Sequence, residues 1–283
     1  MKLIRYGPSG TESPGLLQQD GIVALRSYFP DIPDIGERFF ADGWLERIAG
    51  LKAAGKREDA RWGSPIALPS KIICLGKNYK EHAQEGGMEV PAAPLLFCKT
   101  PNTLNGPFDP VIIPRSSGQV DWEVELALVI GRSGKAVSKE KALDYIAGIT
   151  VMNDVSAREA QFADSQWYRG KSFDTFAPLG PCLVTMDEFG GLGDLANLRL
   201  AAKVNGRTMQ EANTGDMIFD VATLIAYISR DITLSAGDII ATGTPAGVGI
   251  FREPPVLLKH GDEVECWIEE IGTIRNRFVD PSE

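Results

Sequence analysis

The sequence predicts a strand-rich, mixed α+β fold with a small α/β domain ahead of a larger catalytic-sized one. Three observations lead there. Nine short apolar runs, each broken by glycine or proline, follow one another after residue 70. Only two longer stretches carry helical periodicity. Thirty glycines and 18 prolines supply the turns that closely spaced strands need. Strands do not alternate with long helices, so a doubly wound parallel sheet is excluded.

In chain order, residues 1–66 read as the small α/β domain. Runs at 3–6 and 22–25 are strands, with Asp20-Gly21 as a hairpin signal, and Trp44, Leu45, Ile48 and Leu51 share helical spacing. Gly63-Ser64-Pro65 and Pro69-Ser70 mark the boundary, and the second domain covers 67–283. Its strands are expected at 71–75, Leu95–Lys99, 111–114, Val124–Ile130, 148–152, 179–184, 198–204, 239–242 and Glu263–Ile268. Val221–Ser229 is a helix capped by Asp220, with apolar residues at 221, 224, 225 and 228. A second helix is expected over 136–145, with Ser138 as its cap. Asn78 and Glu81 have capping-box spacing, and Gly86-Gly87 would end that helix after barely two turns.

The net charge of −9 excludes a general binder of nucleic acid or anionic membrane, which needs a basic surface. No apolar run approaches membrane-spanning length, and the first residues hold no apolar leader. Four widely separated cysteines beside apolar residues read as buried free thiols in a reducing compartment. A cytoplasmic protein is expected.

Chemistry concentrates at a few acidic residues. Glu123 and Glu125 are two apart in Asp121-Trp122-Glu123-Val124-Glu125-Leu126, so in a strand they share a face. Asp154 ends a second apolar run that could lie alongside. Burying like carboxylates is costly, and a cation between them would offset the cost. With no Cys or His nearby, oxygen donors suit Mg2+ or Mn2+ and not zinc. The plain alternative is the solvated face of an amphipathic strand. His82 and Glu85, at i and i+3 on the short helix, could form a hydrogen-bonded base pair or be ordinary surface residues. The flanking glycines allow that helix to act as a lid. A helix starting near Asp154 would put Arg158 and Gln161 on one face, beside the metal or simply in solvent. Lys171, in a Gly/Pro-bounded loop, is a charge partner for a substrate carboxylate or a solvated lysine. The Gly243-Thr244-Pro245 loop follows a strand and matches neither phosphate-loop fingerprint, leaving a tight turn or a carboxylate-binding loop.

Six segments then recur in a recognisable order: Gly76-Lys77-Asn78-Tyr79 with His82 and Glu85; Glu123 with Glu125; Asn153-Asp154 with Arg158 and Gln161; Lys171-Ser172-Phe173-Asp174; Thr242-Gly243-Thr244-Pro245; and Ile271-Gly272-Thr273-Ile274. Together they resemble the fumarylacetoacetate hydrolase family over roughly residues 70–280. The resemblance implies a mixed β-roll catalytic domain, usually homodimeric, with Mg2+ or Mn2+ on Glu123, Glu125 and Asp154. It implies a His82–Glu85 dyad, a catalytic Lys171, and substrate contacts from Arg158, Gln161 and Thr244. The implied activity is a hydrolase acting on carbon–carbon bonds in ketonic substances: a small anionic 2,4-dioxo acid is split to pyruvate and a carboxylic acid. Residues 1–66 look like those of bacterial members that split 2,4-dioxo-3-deoxy sugar acids derived from L-fucose or L-rhamnose. Oxaloacetate decarboxylation, ureidoglycolate lysis and 2-oxo acid isomerisation or hydration on the same fold are the alternatives.

Overall fold

The computed structural model describes residues 1–56, 59–87 and 89–281. Its main strands are β1 (Lys2–Tyr6), β2 (Ser13–Gln18), β3 (Gly21–Ala24), β4 (Ile72–Gly76), β5 (Leu95–Lys99), β6 (Val124–Ile130), β7 (Ile146–Asn153), β8 (Ala177–Thr185), β9 (Arg199–Val204), β10 (Arg207–Asn213), β11 (Ile239–Ala241), β12 (Glu263–Ile268) and β13 (Gly272–Val279). The larger sheet runs β3-β2-β1-β8-β7-β6-β11-β4-β5. Its neighbours are antiparallel except β11 beside β4. The smaller sheet runs β10-β9-β12-β13 and ends on Val111–Ile112.

Burial explains which strands sit where. Every residue of β6 and β7 is buried, as near-continuous Val, Ile, Leu and Ala demand. β12 alternates half-buried with buried positions, as in a sheet with one wet face. Val124, Leu126 and Leu128 pack into one core with Leu200, Val264 and Ile274 of the smaller sheet and Leu224 and Ile225 of a helix. Ala127 and Val129 face the other core, with Leu3, Phe39 and Ile48. The larger sheet is therefore covered on both faces, and the functional strands lie at its centre.

Six helices matter below: α1 (Glu37–Ala41), α2 (Trp44–Ile48), α3 (Lys80–Glu85), α4 (Arg158–Ala163), α5 (Tyr168–Lys171) and α6 (Val221–Ser229). Asp220 caps α6 by accepting from the Thr223 N–H. Residues 1–66 supply β1–β3, α1 and α2, and β1 pairs with β8, so these strands extend the larger sheet.

Four expectations change. The helix expected over 136–145 is a 3-10 helix at Lys139–Tyr145. Asn78 does not cap α3: Tyr79 stands at the cap position, with no side-chain bond. The helix expected near Asp154 starts at Arg158, because Ser156–Ala157 first pairs with Val120–Asp121. Cys98 is exposed, whereas the free thiols of Cys74, Cys182 and Cys266 are buried. Among the described residues, no helix is long and apolar enough to cross a membrane.

Candidate active site

The site begins with strand register. β6 pairs with β7 so that Val124 lies opposite Asn153. The next residue, Asp154, therefore arrives beside Glu123, and its N–H donates to the Glu123 carbonyl at 2.8 Å. One oxygen each from Glu123, Glu125 and Asp154 then lies within 4.8 Å of the others, all three side chains buried. Two amides hold the start of β6 in place. Asn153 Oδ1 accepts the Glu123 N–H at 3.0 Å, and Gln210 Oε1 accepts the Val124 N–H at 3.0 Å.

Three buried cations surround the carboxylates. Lys171 Nζ is 2.7 Å from both Glu123 Oε2 and Asp154 Oδ2. Lys99 Nζ donates to Asp154 Oδ1 at 2.6 Å and to the Val155 carbonyl at 3.0 Å. Arg158 is 2.8 Å from Glu123, donates to Gln161 Oε1 at 2.9 Å, and is held from behind by Asp121. Burial raises the proton affinity of Glu123, but Lys171 and Arg158 outweigh it and hold that carboxyl below the usual range. For Glu125, burial and then the neighbouring Asp154 and Glu123 push the carboxyl well above it. Lys171 moves the other way from its burial: Asp154 and Glu123 keep its ammonium charged.

Glu125 supplies the test of a metal site. Its Oε2 accepts the Gly243 N–H at 2.8 Å, yet its buried Oε1 has no hydrogen-bond partner among the described residues. An unpartnered carboxylate oxygen beside two others is a poor structural solution and a good ligand set for a hard divalent ion. The residues fit such a metal.

His82 approaches from α3. Its Nδ1 is 2.8 Å from Glu85 Oε1, and Glu85 Oε2 accepts the Gly247 N–H at 2.8 Å. His82, Lys171, Arg158, Gln161 and Thr244 all line one cavity of about 40 Å³, with Glu123 in its wall. Thr244 Oγ1 donates to the Val124 carbonyl at 2.9 Å and accepts from Gln210 Nε2 at 2.8 Å, so its hydroxyl braces β6 as well as facing the cavity. The structure thus brings all nine candidate residues to one place. Sequence reading missed Lys99, Gln210 and Asp121, whose partners lie far along the chain.

Residues 71–279 match the family model for the fumarylacetoacetate (FAA) hydrolase C-terminal domain. The chain belongs to the fumarylacetoacetate hydrolase family. Like other members it is an enzyme with a strand-rich fold, and its buried triad could hold the divalent metal common there. The chain is 42% identical over 290 residues to rat oxaloacetate tautomerase Fahd2a, mitochondrial, covering 99% of this chain and 92% of the relative. The fumarylacetoacetate hydrolase of Exiguobacterium antarcticum superposes with a TM-score of 0.83 at 34% identity, over 99% of this chain and all of that one. A 2-hydroxyhepta-2,4-diene-1,7-dioate isomerase from Mycobacterium marinum gives 0.76 at 37% identity, over the full length of both. These family members are named for three different reactions, a tautomerisation, a hydrolysis and an isomerisation.

Proposed function

We propose that this enzyme hydrolyses a carbon–carbon bond in a small 2,4-dioxo acid, releasing pyruvate and a carboxylic acid. The observation that carries the reading is the His82–Glu85 bond at 2.8 Å in the wall of the cavity that Lys171 also lines. Mg2+ or Mn2+ on Glu123, Glu125 and Asp154 would supply Lewis-acid polarisation of the 2-oxo acid. A carboxylate can only accept, so Glu85 fixes the proton on Nδ1 and leaves Nε2 of His82 as the base. His82 Nε2 takes a proton from water, and the hydroxide adds to the carbonyl remote from the carboxylate. The bond between that carbon and the CH2 group breaks, its electron pair leaving as pyruvate enolate. Lys171 stabilises the enolate charge, and the proton held by His82 returns to its carbon. Arg158, locked to Asp121, and Gln161 orient the substrate carboxylate, with Thr244 in the same cavity wall. The cavity is small, about 40 Å³, and we infer that a wall moves to admit substrate. We assign that motion to α3, with Gly76 before it and Gly86-Gly87 after it.

General-base contributions run about 10²–10⁴-fold. His82→Ala and Glu85→Gln should each lose acylpyruvate cleavage by that factor, with Mg2+ affinity by calorimetry little changed. Parent-level cleavage by His82→Ala would show the dyad to be structural. The 42% identity to an oxaloacetate tautomerase favours one further reading, proton transfer or decarboxylation on oxaloacetate. Decarboxylation needs no attacking water, so it should survive His82→Ala, whereas Lys171→Ala should impair both activities. Four free cysteines support a reducing compartment, and we place the enzyme in the cytoplasm as a homodimer.

A further inference from the structure

We propose that Lys77 is a specificity-determining residue that binds a second carboxylate, at the far end of the substrate, so that the natural substrate is a dicarboxylic 2-oxo acid. The proposal rests on the site assigned above and adds what lies beyond the scissile bond. Lys77 lies between β4 and α3, is half-buried, and lines the same cavity as His82 and Lys171. Unlike the other cations of that wall, its ammonium has no hydrogen bond or ion pair among the described residues. Lys171 and Arg158 are already committed to Glu123, Asp154 and Asp121.

The backbone makes the position harder to dismiss as a solvated loop lysine. Lys77 has φ +58°, the left-handed conformation that glycine or asparagine adopts at little cost and lysine does not. Of the six non-glycine residues with positive φ, Lys77 is the one that lines the cavity. Its side chain is therefore held where a glycine would satisfy the turn more cheaply. Charge points the same way. In a chain of net charge −9, Arg158 and Lys171 are offset by Asp121, Glu123 and Asp154, which leaves Lys77 as the cation of the wall with no carboxylate against it among the described residues. Low-dielectric clefts concentrate ligands of the opposite sign, and an unpaired cation there suits an anionic group of the ligand.

The wall that Lys77 shares also carries Leu75, Phe97, Trp167 and Phe251. Phe97 and Trp167 pack edge to face at 5.4 Å, a fixed aromatic surface. These side chains offer a hydroxylated chain few partners, so a short hydrocarbon segment suits them better. The structure thereby favours a dioic acid over a deoxy sugar acid.

The test uses two 2,4-dioxo acids of equal length, one ending in a carboxylate and the other in a primary amide. Each is measured with the Mg2+-loaded enzyme, the parent, Lys77→Met and Lys77→Arg, for kcat/KM and, by calorimetry, for Kd. The parent should prefer the carboxylate by about tenfold or more, as a charge-assisted bond implies. Lys77→Met should bring the ratio to within about twofold of unity, and Lys77→Arg should retain most of the preference. Parent and Lys77→Met sharing one ratio, or a parent without preference, would overturn the proposal. If both compounds bind with the expected ratio but neither is cleaved, the hydrolase reading fails and Lys77 keeps its role. If neither binds, both readings fall.

Discussion

Lys99 ends an apolar edge strand, and its side chain is fully buried against Asp154. Burial lowers its affinity for a proton, and Asp154 offsets only part of that effect. Its loss should be costly. Breaking one partner of a buried pair destabilises by about 3–5 kcal/mol, and Lys171 still holds the other oxygen of Asp154, so about 3 kcal/mol is expected for Lys99→Met. Urea unfolding measures this, and a change below about 1 kcal/mol would mean that Lys99 is not the ion-pair partner drawn above. Legibility at this scale divides cleanly. Glu123 and Glu125 were visible because their spacing is local, two residues on one strand. Lys99 looked like the tail of a strand, and Gln210 lies in a polar stretch with no apolar pattern. Their partners, Asp154 and Val124, are 55 and 86 residues away, and nothing local marks such pairs.

At the scale of elements, α3 shows how tertiary contacts override a local pattern. Asn78 has the right residue type and spacing for a capping box, yet its amide donates to the Thr242 and Phe219 carbonyls and accepts the Phe219 N–H. Three partners on other segments outweigh one on its own helix. β10 was missed for a related reason: its exposed face is polar, so Arg207–Asn213 lacks an apolar run. The β1–β2 hairpin carries its own prediction. Glu12 accepts from Arg5 Nη2 at 3.1 Å and from Arg61 Nη1 at 2.7 Å, tying the hairpin to residue 61. Burial raises the Glu12 carboxyl, but the two arginines outweigh it and hold it below its ordinary 4.5. The unfolded chain then binds the proton more readily, so this contribution is complete above pH 4.5 and is lost as the pH falls below it. Urea midpoints from pH 6 down to pH 3.5 should fall more steeply in the parent than in Glu12→Gln, which should already be weaker at pH 6. Parallel curves would show that the cluster contributes nothing to acid sensitivity.

For the whole molecule, the fold class was legible because runs of buried β-branched residues cannot be anything but central strands. The order of those strands was not, since β6 takes β7 and β11 as neighbours and β11 comes more than a hundred residues later. β5 is the last strand of the larger sheet, and among the described residues no strand covers its outer edge. Leu95 on it and Tyr168 near it are exposed. Unprotected apolar edges favour association, so light scattering at micromolar concentration should give twice the chain mass. A monomeric mass would contradict the homodimer.

Two carboxylates of the site also wait for a distant partner: Glu123 for Lys171, 48 residues on, and Glu125 for the Gly243 amide, 118 residues on. A chain still emerging from the ribosome therefore holds Glu123 and Glu125 well before it holds these partners, whereas Lys99 is made before the Asp154 it meets. Until the strand ending at Ala241 has slotted between β6 and β4, Glu125 lacks the Gly243 amide that holds its Oε2. The strand that completes the centre of the sheet therefore also completes the hold on the site.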